Sequence, residues 1–286
     1  MLQKNKLRAR LEAGQRVYGL LNSIPAPLLV EMIGYAGYDF VILDLEHVGV
    51  NPQTLENMIR AAEGCGLTPL VRVPGIEPKT ILRVLDAGAQ GIVVPCVQDG
   101  EQARQAVLAS RYHPLGERGI SGGRTTGFGT LGLQDYMALA NREIMVIAMI
   151  EDRTGVENID AIATVPGIDM ILEGAVDLSQ SLGVPGQAQH PEVQSAIRRV
   201  AAACAAHALP FCAIPRADGQ HEVWCDAGVR AFLLGDDRGL CLRALKAHLG
   251  SYRTAECVAH RTRLTHVGSS PSVPVEVNHR GQISVA

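Results

Sequence analysis

Charged side chains follow directly on several short apolar runs of this sequence. The run FVIL at 40–43 is followed at once by Asp44, Glu46 and His47, where no turn residue accounts for them. Arg72 stands inside the apolar run TPLVRVP, and a buried arginine there needs an anionic partner or ligand. Carboxylates, an imidazole and a guanidinium brought together could hold a metal ion and stabilise negative charge that develops on a substrate.

Two later apolar runs end in carboxylates in the same way. IMVIAMIE ends in Glu151 with Asp152 after it, and MILEGAVDL contains Glu173 and Asp177. Each of these acids could form a structural ion pair, and His47 alone could be a capping or loop histidine. Taken together, Glu151 and Asp177 predict a site for a hard cation that leaves positions open for water and substrate.

The elements that must position these side chains are short strands alternating with helices. Apolar runs rich in Val, Ile and Leu predict eight strands, at 17–24, 40–47, 68–74, 91–97, 144–151, 170–178, 209–214 and 230–237. Segments of helical period lie between them, and the clearest are 25–37, 52–66, 78–89, 99–111 and 190–208. This alternation predicts an α/β fold, a (β/α)8 TIM barrel, in which the chemistry sits where strands end and βα loops begin.

Composition and charge exclude some classes of binding partner. The chain has 286 residues, a formal charge of −3 and 4 % aromatic residues, with no block of like charge, so nucleic acid is not an expected partner. No apolar run reaches the ~18 residues of a membrane span, and the N-terminus lacks the apolar region of a signal peptide. We therefore expect a cytoplasmic protein without a membrane partner. The seven cysteines include no C-x-x-C pair and no His/Cys cluster at zinc spacing, so they predict reduced core thiols and not metal ligands or nucleophiles.

Two segments fall outside the simple alternation. The glycine-rich stretch 113–132, with the nearby Arg111, Arg118 and Arg124, predicts a loop with possible anion-binding capacity. It follows a helix, so it should leave the barrel at the face opposite the strand ends. We predict a barrel domain at 1–250 and a C-terminal extension at 251–286 that is partly disordered, with a helix followed by a mobile tail over the last twenty residues.

Six motifs, in their order along the chain, resemble one known family. They are DLEH (44–47), VRVP (71–74), LDAGAQGIVVP (85–95), RYHPLGERG (111–119), IED with TGVENID (150–160) and GAVDLSQSLG (174–183). Over about residues 15–245 the chain resembles the HpcH/HpaI aldolase (citrate-lyase-like) family. The resemblance implies a (β/α)8 barrel of the phosphoenolpyruvate/pyruvate-binding type and a metal-dependent class II pyruvate aldolase.

The resemblance also implies roles for the metal ligands and the arginine. Glu151 and Asp177 match the two metal-binding carboxylates, and Arg72 matches the arginine that holds the keto oxygen and steadies the enolate. Oxygen ligands with an open coordination sphere suit Mg²⁺ or Mn²⁺, and Co²⁺ could substitute. The implied substrate is a small 2-keto acid.

Four further residues receive implied roles. His47 matches the catalytic base, and Asp86 matches the acid that pairs with it and keeps its tautomer. Backbone amides around Gly174 and Ala175 match the cradle for the substrate carboxylate. Family members are commonly hexamers whose C-terminal helices pack across subunits, which the segment 238–260 could do here.

Departures from the family pattern leave several functions open. Met149 stands where the aldolases usually place Gln, and GAVD replaces GPAD with Glu173 before it instead of an apolar residue. One hypothesis is an aldolase that cleaves 2-keto-4-hydroxy acids to pyruvate and an aldehyde. A second is citrate formation from oxaloacetate and acetyl-CoA, as in relatives from siderophore pathways; the loop GISGGRTTGFG would suit such an acyl-CoA donor. The third is a barrel that binds a keto acid without turnover.

Overall fold

The computed structural model describes residues 2–266, and the side chains as far as residue 253. Eight parallel strands close into a barrel in the order of the chain. They are β1 (Val17–Asn22), β2 (Phe40–Asp44), β3 (Thr68–Arg72), β4 (Gly91–Val94), β5 (Met145–Ile150), β6 (Met170–Glu173), β7 (Phe211–Ala213) and β8 (Ala231–Asp236). The predicted (β/α)8 barrel is confirmed, and each predicted strand contains one of the observed strands.

Helices precede, connect and follow the strands. They are α1 (Lys6–Glu12), α2 (Pro27–Tyr35), α3 (Pro52–Gly64), α4 (Pro78–Asp86), α5 (Gly100–Ser110), α6 (Leu133–Glu143), α7 (Arg153–Glu157), α8 (Ile159–Ala163), α9 (Ala175–Ser181), α10 (Pro191–Ala206), α11 (Gln220–Asp226) and α12 (Asp237–His266). Local chemistry sets where they begin: the side chain of Asn51 accepts the N–H of Thr54, and Asp99 does the same for Gln102. Prolines at the first position of four helices fit because that position needs no N–H donor.

Alternate residues of each strand point into the barrel, and this period of two aims the polar strand ends at its mouth. Ile42 of β2 and Met149 of β5 belong to the apolar core that fills the barrel. Two residues further along each strand, the same face carries Asp44 and Glu151, both buried. The carboxylates therefore form the inward-facing layer nearest the carboxyl ends of the strands, and the apolar core packs directly beneath them.

Helix α1 lies across the amino ends of the strands. Leu7 is fully buried among the residues of the barrel core. The amide of Asn5 donates to the carbonyl oxygens of Gln90 and Glu143, and the guanidinium of Arg8 pairs with Asp169 at 2.7 Å. Bonds from one short helix to segments before β4, β5 and β6 hold this end of the barrel closed.

The glycine-rich loop 113–132 packs at this same end, as expected for a segment that follows a helix. Its only helical turn is a 3₁₀ turn at Arg124–Thr126, and the N–H of Leu2 donates to the carbonyl of Thr125. The expected anion-binding capacity is not supported, because each arginine already has an acidic partner. The pairs are Arg111 with Asp169, Arg118 with Asp86, and Arg124 with Glu63.

The chain separates into two compact units, one ending at Gly239 and the other beginning at Leu240. The predicted C-terminal helix is present as the main part of the second unit, and the predicted domain boundary at 250 stays a prediction. The predicted mobile tail, the last twenty residues, lies outside the described residues. Among helices in the described part, none combines the length and apolar character needed to cross a bilayer.

Candidate active site

Arg72 is held at the mouth of the barrel by two acids from the end of β2. Its Nε lies 3.0 Å from Asp44 Oδ1, its Nη2 lies 2.9 Å from Asp44 Oδ2, and its Nη1 lies 3.0 Å from Glu46 Oε2. Burial alone would raise the pKa of Asp44, but the hydrogen bond and charge of Arg72 outweigh it and lower that pKa. A guanidinium has five N–H groups, so two remain for a ligand.

Glu151 forms the centre of a cluster of possible metal ligands. One ligand atom from each of Glu46, Cys96 and Glu151 can be chosen so that all three lie within 4.8 Å of one another. Burial, with smaller contributions from the charges of Glu46 and Asp177, raises the pKa of Glu151 to about 6, although the hydrogen bonds from Cys96 act in the opposite direction. A buried carboxylate beside two others is stabilised by a cation. These residues therefore fit a divalent ion.

Gly174 makes room for Glu151. A Cβ atom on Gly174 would lie 2.4 Å from Glu151 Cβ, 2.6 Å from Glu151 Oε2 and 2.9 Å from Met149 Cε. The N–H of Gly174 donates to the carbonyl of Ile150 at 3.0 Å, and Ala175 begins α9 fully buried. Met149 thus borders the same space as the metal-ligand cluster, and Gly174 and Ala175 lie directly beside it.

His47 and Asp177 stand at the rim of the site. The side chain of His47 is half exposed, and its Nε2 lies 3.8 Å from Glu46 Oε2. Asp177 is exposed in the first turn of α9. Asp86 is not beside His47 in the same chain, because α4 ends at Asp86 near the amino ends of the strands, where Arg118 binds it at 2.6 Å.

Sequence reasoning missed three residues of the site. Asp44 and Glu46 were noted as strand-end charges without a role, yet they fix Arg72. Cys96 was expected to be a core thiol, which is wrong: it is exposed and next to Glu151. Its position directly after the fourth strand, in GIVVPCV, was the available signal.

The unusual Glu173 lies outside the barrel interior. Its carboxylate accepts the N–H of Ile214 at 2.7 Å and pairs with Arg216 Nη1 at 2.8 Å. Burial raises the pKa of Glu173 against the opposing charge of Arg216, and the residue is 2 % exposed. Glu173 therefore joins the ends of β6 and β7 and does not shape the inner pocket.

Arg216→Met should destabilise the fold, because it leaves the Glu173 carboxylate buried without its cation. We expect the free energy of unfolding to fall by about 3 kcal/mol, the lower end for a broken buried pair. Chemical denaturation followed by circular dichroism measures it. The matched control is Arg104→Met on α5, whose pair with Glu101 is more than half exposed and should contribute less than about 1 kcal/mol. Equal losses in the two variants would contradict a structural role for the Glu173 pair.

The chain is similar to known proteins over most of its length. The family model described as HpcH/HpaI aldolase/citrate lyase matches residues 18–243. The chain is 37% identical over 237 residues to 5-keto-4-deoxy-D-glucarate aldolase of Shigella sonnei. The aligned region covers 82% of this chain and 92% of that protein.

Solved structures give the same result. The crystal structure of citrate synthase SbnG superimposes with a TM-score of 0.81 at 47% identity, covering 87% of this chain and 98% of that one. The structure of an HpcH/HpaI aldolase/citrate lyase family protein from Burkholderia cenocepacia gives a TM-score of 0.82 at 32% identity. The superposition covers 87% of this chain and 100% of that one. The chain therefore belongs to the HpcH/HpaI aldolase/citrate lyase family and is an enzyme that acts on carbon–carbon bonds.

Proposed function

We propose that this enzyme is a divalent-metal-dependent lyase that acts through the enolate of a 2-keto acid, cleaving 2-keto-4-hydroxy acids to pyruvate and an aldehyde. One observation carries the proposal: a guanidinium fixed by two acids, Arg72, stands at the mouth beside the buried carboxylate of Glu151. Nearby positive charge stabilises an enolate oxygen, and this arrangement supplies a fixed guanidinium together with an acid that can bind a cation.

In this proposal Glu151 and Asp177 hold the metal ion. Their oxygens suit Mg²⁺ or Mn²⁺, and Co²⁺ would also be accepted. When bound, a divalent ion supplies Lewis-acid polarisation of the carboxylate and carbonyl oxygens of the keto acid. The two unused N–H groups of Arg72 hold the keto oxygen. The substrate carboxylate is received at the start of α9, by backbone amides around Gly174 and Ala175 other than the N–H of Gly174, which is bonded to Ile150.

His47 is the proposed base, because its half-exposed imidazole can reach a substrate proton at the rim. Asp86 is its proposed partner, but within one chain the two residues lie at opposite ends of the barrel, so the pairing requires a second copy. We propose a homo-oligomer, a hexamer, assembled through α12. That helix carries four exposed apolar side chains on one face, namely Leu242, Leu245, Leu249 and Tyr252.

The second candidate is condensation of oxaloacetate with acetyl-CoA to form citrate. Met149 favours it, since an apolar side chain borders the site where an aldolase would offer the amide of Gln. The 47% identity to a structure described as a citrate synthase is a second support. The deciding experiment incubates the enzyme and Mg²⁺ with oxaloacetate and acetyl-CoA, follows thiol release, and runs an aldol-cleavage assay in parallel.

Met149→Gln should separate the two reactions in one variant. In an aldolase the new amide would donate to the developing enolate oxygen, so the rate of cleavage should rise. In a citrate-forming enzyme the amide would stand where the second substrate needs an apolar wall, so thiol release should fall while cleavage stays negligible. Met149→Leu is the control, because it keeps the wall apolar and adds no donor. A gain in cleavage without loss of condensation would refute citrate formation.

A further inference from the structure

Cys96 lies against the metal-ligand cluster with both its backbone and its side chain. Its N–H donates to Glu151 Oε1 at 2.7 Å, and its Sγ lies 3.3 Å from the same oxygen. Sγ is also one of the three ligand atoms within 4.8 Å of one another, together with a carboxylate oxygen of Glu46 and one of Glu151.

The backbone at Cys96 adopts a conformation that ordinary residues avoid. Its φ is +52°, in the left-handed region, where the Cβ of an L-residue comes too close to the following carbonyl oxygen. Such strain persists where the surroundings impose it, and it recurs at functional sites. Here the strained residue follows β4, and its conformation allows the backbone N–H and the sulfur of Cys96 to contact the carboxylate of Glu151 together.

The sulfur is accessible, and the cluster has ligand capacity to spare. Cys96 is exposed, whereas Cys204 and Cys212 are buried. Among the described residues no hydrogen bond reaches Glu151 Oε2, although the side chain is only 3 % exposed. Oε2 of Glu151 is therefore available to a ligand beside the thiol, in addition to the contacts that Oε1 makes with Cys96.

We propose that Cys96 adds a sulfur donor to the proposed metal site, and that this donor, with the neighbouring Glu46 and Glu151, lets the site take a thiophilic divalent ion such as Zn²⁺ or Cd²⁺. This rests on the metal site of the proposed function. As the metal–sulfur bond forms, the S–H bond breaks and one proton passes to solvent. Thiolates favour soft ions, whereas carboxylates alone favour Mg²⁺ and Mn²⁺, so Cys96 widens the choice of metal.

The test titrates the full-length protein with Cd²⁺ and separately with Mn²⁺. Cd²⁺ should produce the ultraviolet sulfur-to-metal charge-transfer absorption, with one thiolate per chain at the site. In Cys96→Ser this absorption should disappear. Cd²⁺ affinity should fall at least about tenfold, which is the smallest loss typical when a residue that supports a metal ligand is mutated. Mn²⁺ affinity, measured by calorimetry, should stay unchanged because serine removes only the soft donor.

Cys225→Ser is the matched control, since that half-buried thiol faces the imidazole of His221 and no carboxylate pair. It should keep the absorption and the Cd²⁺ affinity of the unaltered protein. Persistence of the absorption in Cys96→Ser, or an equal loss of Cd²⁺ and Mn²⁺ affinity, would overturn the sulfur-ligand proposal. Failure of the unaltered protein to bind Mn²⁺ would overturn the proposed Mg²⁺ or Mn²⁺ enzyme instead, whatever Cd²⁺ does.

Discussion

Glu151→Gln is expected to lower turnover by about 10³-fold and to weaken binding of Mg²⁺ or Mn²⁺ while the barrel stays folded. The amide keeps the size of the side chain, so the space made by Gly174 stays filled, but it removes the buried charge that binds the ion. Losing the Lewis acid removes several kcal/mol of transition-state stabilisation, which corresponds to a rate lower by about 10³-fold. Calorimetry for the ion and steady-state assays for turnover measure the two effects.

Asp177→Ala should likewise weaken binding of Mg²⁺ or Mn²⁺, because it deletes the second proposed ligand at the open rim. Glu63→Gln is the control for both, since Glu63 pairs with Arg124 at the closed end of the barrel. If the affinity for both ions were unchanged in the Glu151 and Asp177 variants, these residues would not be the metal ligands.

Arg72→Lys should lower kcat by about 10²-fold, the effect of losing one donor to a developing oxyanion. Lysine keeps the charge but not the planar fork, which here meets Asp44 through Nε and Nη2 and still offers two N–H groups to the substrate. The loss should appear in kcat more than in KM, because the enolate charge exists only after binding.

Arg60→Lys on α3 is the matched control, because Arg60 is half exposed and pairs only with its own helix. Thermal unfolding of Arg72→Lys must accompany the kinetics, since Asp44 is buried and depends on this partner. A nearly unchanged rate would make Arg72 a structural ion-pair partner and nothing more.

The sequence predicted the barrel well because parallel strands covered on both faces leave a plain pattern of apolar runs. Boundaries were less accurate where polar residues follow the strand. The predicted strand 170–178 ends at Glu173, and Asp177 belongs to α9, because Gly174 ends the strand and a helix starts at Ala175. The helix at 133–143 was not singled out, since the glycine-rich loop before it gives no start signal.

The candidate site was predictable in its residues but not in its contacts. Periodicity places Arg72 and Glu151 at strand ends, yet no pattern shows that Asp44 holds Arg72 through two oxygens. The position of Cys96 after the fourth strand indicates the mouth of the barrel, but its contact with Glu151 depends on a left-handed backbone that propensity does not predict. Pairings of distant residues, such as Asp86 with Arg118, arise only from packing.

Helix α1 closes the amino end of the barrel, because Leu7 packs in the barrel core and Asn5 is hydrogen-bonded to the adjoining segments. A substrate or product can therefore enter and leave only at the carboxyl ends of the strands. Under the proposed cleavage, the pyruvate part of the substrate lies deepest, beside Glu151, and the aldehyde part lies nearer the opening. The aldehyde should therefore leave first and pyruvate last. In the reverse condensation the keto acid should bind first, because an aldehyde bound early would block its path.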